Sequence, residues 1–145
     1  MDIKIYEPIK MLPELRKCNT PAKCLNSNTP ILAVMKKEIG EDKVLAILEM
    51  WIIDINEFIN INNKMKPNQV IETAMMLLQD FYYFKIADIN LIFTKAKKGK
   101  FGNLYGVIDG SKIYQWFEQH DNERAKECYM EHLEKHDIIK ASERV

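Results

Sequence analysis

"EDKVLAILEMWIIDINEF", residues 41–58, decides the fold class. Val44, Leu48, Trp51, Ile55 and Phe58 recur at i, i+4, i+7, i+11 and i+14, the rhythm of one helix face. Leu45, Ile52 and Ile59 form a second apolar stripe beside the first. A helix this apolar around its circumference is expected to be central and buried on most sides. Glu41 and Asp42 suit its N-terminal end, where the helix dipole favours acids. "NINNKMKP", residues 60–67, breaks the pattern.

Helical signals continue on both sides. Upstream, Thr29 is the expected N-cap and Pro30 the first helical residue of "ILAVMKKEI", which stops at Gly40. Downstream, Pro67 opens "PNQVIETAMMLLQDFYYF", with Val70, Ala74, Leu77 and Phe81 as the core face and Ile71 and Leu78 widening it. "IADINLIFTKAKK", residues 86–98, places Ile86, Ile89, Phe93 and Ala96 on one side, and Gly99 follows as the stop. Asp109 is the expected N-cap of a long last helix from Gly110 into the 130s, with Ile113, Trp116, Phe117 and His120 facing inward. Residues 1–29 are turn-rich, punctuated by Pro13 and Pro21, and read as an arm with at most a helical turn near 13–17. The prediction is all-α: a compact bundle of four to six helices over 30–145, one domain, preceded by an irregular N-terminal arm over 1–29.

The 145 residues are 47% hydrophobic, enough apolar material for one core. Lys plus Arg balance Asp plus Glu at 21 each, so no global charge steers the chain to nucleic acid or membrane. The local distribution is uneven. Residues 85–112 hold six lysines against two aspartates, and residues 118–145 hold eight acids against five bases. No run of eighteen apolar residues occurs, so no spanning helix is expected. The start, "MDIKIYEPIK", lacks the pattern of a signal peptide, and three irregularly spaced cysteines (18, 24 and 128) argue for a reducing, cytoplasmic setting.

The chemistry concentrates in "TKAKKGKFGNLYGVIDG", residues 94–110. Lys95, Lys97, Lys98 and Lys100 supply phosphate attraction, and Phe101 and Tyr105 supply rings on which bases stack. The competing structural reading is that the lysines favour a helix C-terminus and Gly99 ends it. Neither GxxxxGK[ST] nor GxGxxG is present, which removes a nucleotide loop of either kind. The glycines at 99, 102, 106 and 110 are instead expected at positive backbone angles or close helix approaches, with Leu104 and Tyr105 turned to the core. Cys128, His132 and His136 share a helix face but lack a fourth metal ligand, so a solvated face and no metal are expected. Asp54 and Glu57 share a face and read as exposed. No GxSxG occurs and no triad is recognisable; His120 reads as a core histidine. "AMMLLQDFYYF" reads first as core, with at least one of Tyr82 and Tyr83 outside.

Ala96-Lys97-Lys98-Gly99-Lys100-Phe101-Gly102, Leu104-Tyr105, Ile108-Asp109-Gly110, Ile113, Trp116 and Glu123-Arg124 carry a resemblance. Over about residues 66–125 the chain resembles a family of short, uncharacterised helical proteins of phages and conjugative elements of gut bacteria. The resemblance implies a mobile-element origin and a cytoplasmic location in the bacterial host. It carries over no activity and no catalytic residue. Size and helical build are also loosely similar to phage helicase-loader proteins.

The expectation is a non-enzymatic accessory or adaptor protein without a cofactor, contacting DNA or RNA through residues 95–105. The alternative is a protein–protein module without a nucleic-acid role, such as a helicase-loader-like or host-targeting factor, or a virion-associated protein. Its partner is then a replication or host protein, met through the apolar, Met-rich surface.

Overall fold

The computed structural model describes residues 2–59, 62–103 and 107–143. These residues form a 3₁₀ turn, Ile3–Tyr6, and seven α-helices: α1 (Pro8–Glu14), α2 (Pro21–Leu25), α3 (Leu32–Ile39), α4 (Glu41–Phe58), α5 (Pro67–Asp80), α6 (Ile86–Lys97) and α7 (Gly110–Glu143). The all-α expectation holds, with seven helices where four to six were expected. No strand occurs among the described residues. Only two isolated bridges do, Ile31 with Lys85 and Asn63 with Val107.

The additional helices lie in the segment expected to be irregular. α1 and α2 have seven and five residues, too few to display a periodicity. They nonetheless bury Pro8, Met11, Pro21 and Cys24, with Leu15 just after α1. Thr20 caps α2 through its hydroxyl, and Glu127 Oε2 of α7 accepts from Ala22 N at 2.5 Å, tying α2 to the last helix.

α4 is central as its stripes require: Val44, Ile47, Leu48, Ile52 and Ile55 are fully enclosed. It packs against α1, α3, α5 and α6, and α7 packs against α2, α5 and α6. Phe81, Phe84, Phe93 and Phe117 form an aromatic centre with ring centroids 5.1–5.9 Å apart, and Phe93 continues it to Trp51 at 5.8 Å. Phe58 departs from the stripe. It closes the last turn of α4 and is 59% exposed. Ile71 and the Met pair depart as well. Leu78 is buried, but Ile71, Met75, Met76 and Tyr82 are exposed on the outer side of α5 and its following turn. The stretch "AMMLLQDFYYF" is therefore divided: Ala74, Leu77, Leu78, Phe81 and Phe84 are core, as expected, and the Met pair is surface.

Thr29 and Pro30 do not start α3. Its N-cap is Ile31, whose side chain cannot cap. The first amides of α3 are satisfied across the fold: Leu32 N donates to Phe84 O at 2.9 Å and Ala33 N to Tyr82 O at 2.8 Å. In return Ile86 N donates to Pro30 O at 3.0 Å and Ala87 N to Thr29 Oγ1 at 3.2 Å. The two helices thus cap each other's first turn, and the cap-like Thr29 serves α6. Lys85 Nζ reinforces the junction by donating to Leu25 O and Ser27 O.

Gly110 has a steric reason. A Cβ there would collide with Thr73 Oγ1 of α5, so glycine permits the close approach of α7 to α5. Asp109 caps α7 as expected, accepting from Lys112 N at 2.9 Å and Ser111 Oγ at 2.8 Å.

Candidate functional site

The basic stretch begins in the last turn of α6 and continues through a tight reversal. Lys98 is the C-cap, Gly99 has φ +73°, Gly99 N donates to Ala96 O at 3.1 Å and Lys100 N to Lys95 O at 2.9 Å. This pair of bonds is the Schellman ending, which satisfies two terminal carbonyls and wants glycine at its left-handed position. The helix-end reading of Gly99 is correct, and it fixes where each lysine points.

The four lysines divide into two pairs. Lys95 Nζ lies 3.0 Å from Glu123 Oε2 of α7. Lys97 Nζ lies 2.5 Å from Asp54 Oδ2 of α4 and 5.0 Å from the centre of the Phe58 ring. Both are partly shielded, with side chains 24% and 25% exposed, and each is paired with an acid of a neighbouring helix. Burial opposes ionisation of Glu123, but hydrogen bonds from Lys95 and Gln119 outweigh it and hold the carboxyl below its ordinary range. Lys98 and Lys100 are exposed and make no ion pair among the described residues. Phe101 is half-buried, stacked on Trp116 with centroids 5.7 Å apart and planes 13° apart. Tyr105, like Leu104, lies outside the described residues.

Lys95, Lys98, Lys100, Phe101 and the Glu123 carboxylate border a cavity of about 630 Å³ between α1, the turn after it, α6 and the middle of α7. Leu15, Leu91 and Phe101 give it apolar walls, and Arg16, Lys98 and Lys100 stand on its rim. Asn90, one polar residue in the apolar run of α6, is among its lining residues at 3% exposure, and its Oδ1 has no hydrogen-bond partner among the described residues. A smaller space of about 300 Å³ adjoins it, sharing Leu12, Thr94 and Lys98. Trp51, whose Nε1 also has no partner among the described residues, lines that space. Sequence reasoning missed Arg16 and Asn90. The only signal for Asn90 was a carboxamide interrupting "ADINLIF".

The other singled-out residues lie elsewhere. His120 and Asp88 are both fully buried, with Nε2 2.7 Å from Oδ1. Asp88 Oδ2 accepts from Lys85 N at 2.8 Å, so one carboxylate caps α6 and binds α7. Neither side chain is exposed to solvent. Cys24 is buried, and desolvation, followed by the nearby Asp88 charge, raises its thiol far above the ordinary range. His132 and His136 are exposed on the outer half of α7, and no group of three metal-ligating side chains gathers among the described residues. Glu57 is exposed as expected, whereas Asp54 is half-buried and engaged by Lys97. No described helix is long and apolar enough to cross a membrane.

Compared with protein-family models, curated proteins and solved structures, the chain finds no match.

Proposed function

We propose that this chain is a non-enzymatic accessory protein that holds single-stranded nucleic acid along the rim made by Arg16, Lys98 and Lys100. One observation carries the reading: these three cations border a single cavity and no carboxylate pairs with them among the described residues. Unpaired cations attract phosphate, whereas Lys95 and Lys97 are already satisfied internally. The site proposed from sequence narrows to Lys98 and Lys100 as phosphate contacts, Arg16 joins them, and Phe101 serves as an apolar wall. The setting, the cytoplasm of a bacterium carrying a phage or conjugative element, follows from the resemblance over about residues 66–125.

Three phosphate contacts on a single strand imply a log–log salt slope of about −2. Fluorescence anisotropy with a labelled oligonucleotide across a salt series measures it. The Lys98→Glu/Lys100→Glu double variant should lose binding at every salt concentration. A flat salt response, or a double variant that binds unchanged, refutes the reading.

A second reading has its own observation. Met75 and Tyr82 stand exposed beside Ala33 and Leu78, Met76 is exposed next to Met75 on the same helix, and Met-rich surfaces adapt to partners. Under it, Met75→Glu/Met76→Glu removes a partner that co-purifies from the host, while nucleic acid has no effect.

A further inference from the structure

We infer that the space between α1 and α6 binds a medium-chain fatty carboxylate, its chain lying along α1 and its head at the cationic rim. This goes beyond the nucleic-acid reading, with which it shares the three rim cations. Two adjoining spaces supply the room. The larger, about 630 Å³, lies within the roughly 300–1,000 Å³ of small-molecule sites. The smaller, about 300 Å³, shares Leu12 and Thr94 with it and reaches Trp51 and Phe93. Together they follow α1 along its length, from Pro8 to Leu15 and Arg16 just past its end. Seven residues of helix rise roughly 10 Å, so the room is extended rather than compact.

The charges decide the polarity of the guest. Glu123 borders the larger space, but both its oxygens are taken. Oε2 accepts from Lys95 Nζ at 3.0 Å and Oε1 from Gln119 Nε2 at 3.3 Å. In the smaller space, Asp54 pairs with Lys97. Asn90 Oδ1 exposes less than 1 Å² and takes no part in binding. Each lining carboxylate thus has its own lysine. Arg16, Lys98 and Lys100 are left over, all exposed and without an ion pair among the described residues. Burying a polar group without a partner is costly, so walls of Leu12, Leu15, Leu91 and Phe101 favour a guest with an apolar body. Three spare cations at the rim favour a single anionic end, which remains hydrated there. Ile9 and Leu12, 80% and 43% exposed at the edge of these spaces, offer apolar surface for a chain to cover.

Titration calorimetry with octanoate, decanoate and dodecanoate, each below its micelle concentration, tests the site. Affinity should rise roughly tenfold per two-carbon step, somewhat less than full burial of both methylenes would give. Decanol, which lacks the charge, should bind roughly tenfold more weakly than decanoate, because three exposed pairings are each modest. Decyltrimethylammonium should bind more weakly still. Leu12→Ser, at an exposed position where the fold has little to lose, should weaken decanoate about tenfold and leave oligonucleotide binding unchanged. Equal affinity along the series, decanol binding as well as decanoate, or no binding at millimolar concentration overturns the inference. Binding to phosphatidylglycerol vesicles without binding of free carboxylate also overturns it, in favour of a membrane surface.

A labelled oligonucleotide in the same assay separates this inference from the nucleic-acid reading. Displacement of the oligonucleotide by dodecanoate supports both, because the rim cations are shared. Oligonucleotide binding without dodecanoate binding sinks the inference and leaves the nucleic-acid reading intact. Dodecanoate binding without oligonucleotide binding supports the inference and sinks that reading.

Discussion

Removing Asp88, His120 or both dissects the junction of α6 and α7. Asp88→Ala loses two bonds at once. The cap on Lys85 N contributes about 1 kcal/mol, as N-terminal caps do. The bond to His120 Nε2 leaves a buried ring nitrogen unpaired, costing about 1–3 kcal/mol. The single variant should therefore lose about 2–4 kcal/mol, a large share of the ~5–15 kcal/mol that stabilises an ordinary domain. His120→Leu keeps the cap but leaves Asp88 Oδ1 without its partner in a site with no exposure, and breaking a buried pair from one side costs about 3–5 kcal/mol. The double variant removes both polar groups, so the penalty for an unpaired one disappears. Its loss should fall short of the sum of the singles by about 1–3 kcal/mol. Urea unfolding followed by circular dichroism provides the three differences. Additivity within ~0.5 kcal/mol, the level found for independent sites, refutes the claim that the pair acts as a unit.

Gly99→Ala should cost about 1–2 kcal/mol for the left-handed backbone alone, because open space surrounds the position; Gly99→Asn should recover part of it in the same denaturation assay. Asp109 is held below its ordinary value of 3.8, chiefly by the Lys112 amide and then by the Ser111 hydroxyl. Its contribution to stability is present in full above the unfolded-state value and disappears as pH falls through the lower folded-state value, so Asp109→Asn should flatten that acid limb in urea titrations between pH 5 and pH 2, a window set by carboxylate ionisation in general.

The long helices were legible because burial repeats with the helical period. Val44, Leu48, Trp51 and Ile55, then Val70, Ala74 and Leu77, carry that period plainly, and all are buried. α1 and α2 were not legible because a period needs several turns to show itself. Thr29 illustrates a second limit. Its type announces a cap, but which helix it caps depends on a contact 58 residues away. The basic stretch met the same limit. Four neighbouring lysines look alike in sequence, yet Asp54 and Glu123, brought in from α4 and α7, neutralise two of them. Phe58 kept the right phase but sat on the last turn, where the bundle no longer covers it. The Met pair was misplaced because α5 is sided, and the apolar residues on its outer side have nothing packed over them.

The exchange of caps between α3 and α6 bears on how the chain opens. First-turn amides of a helix ordinarily face water and swap their protons with it freely. Here Leu32, Ala33, Ile86 and Ala87 give theirs to acceptors on the opposite segment, far along the chain. Fraying one helix end does not release them; the two segments must separate. In deuterium these four amides are therefore expected to be among the last to exchange, at the free energy of global opening. Residues 29–33 and 82–87 then form one cooperative unit, the clasp on which the order of the rest depends.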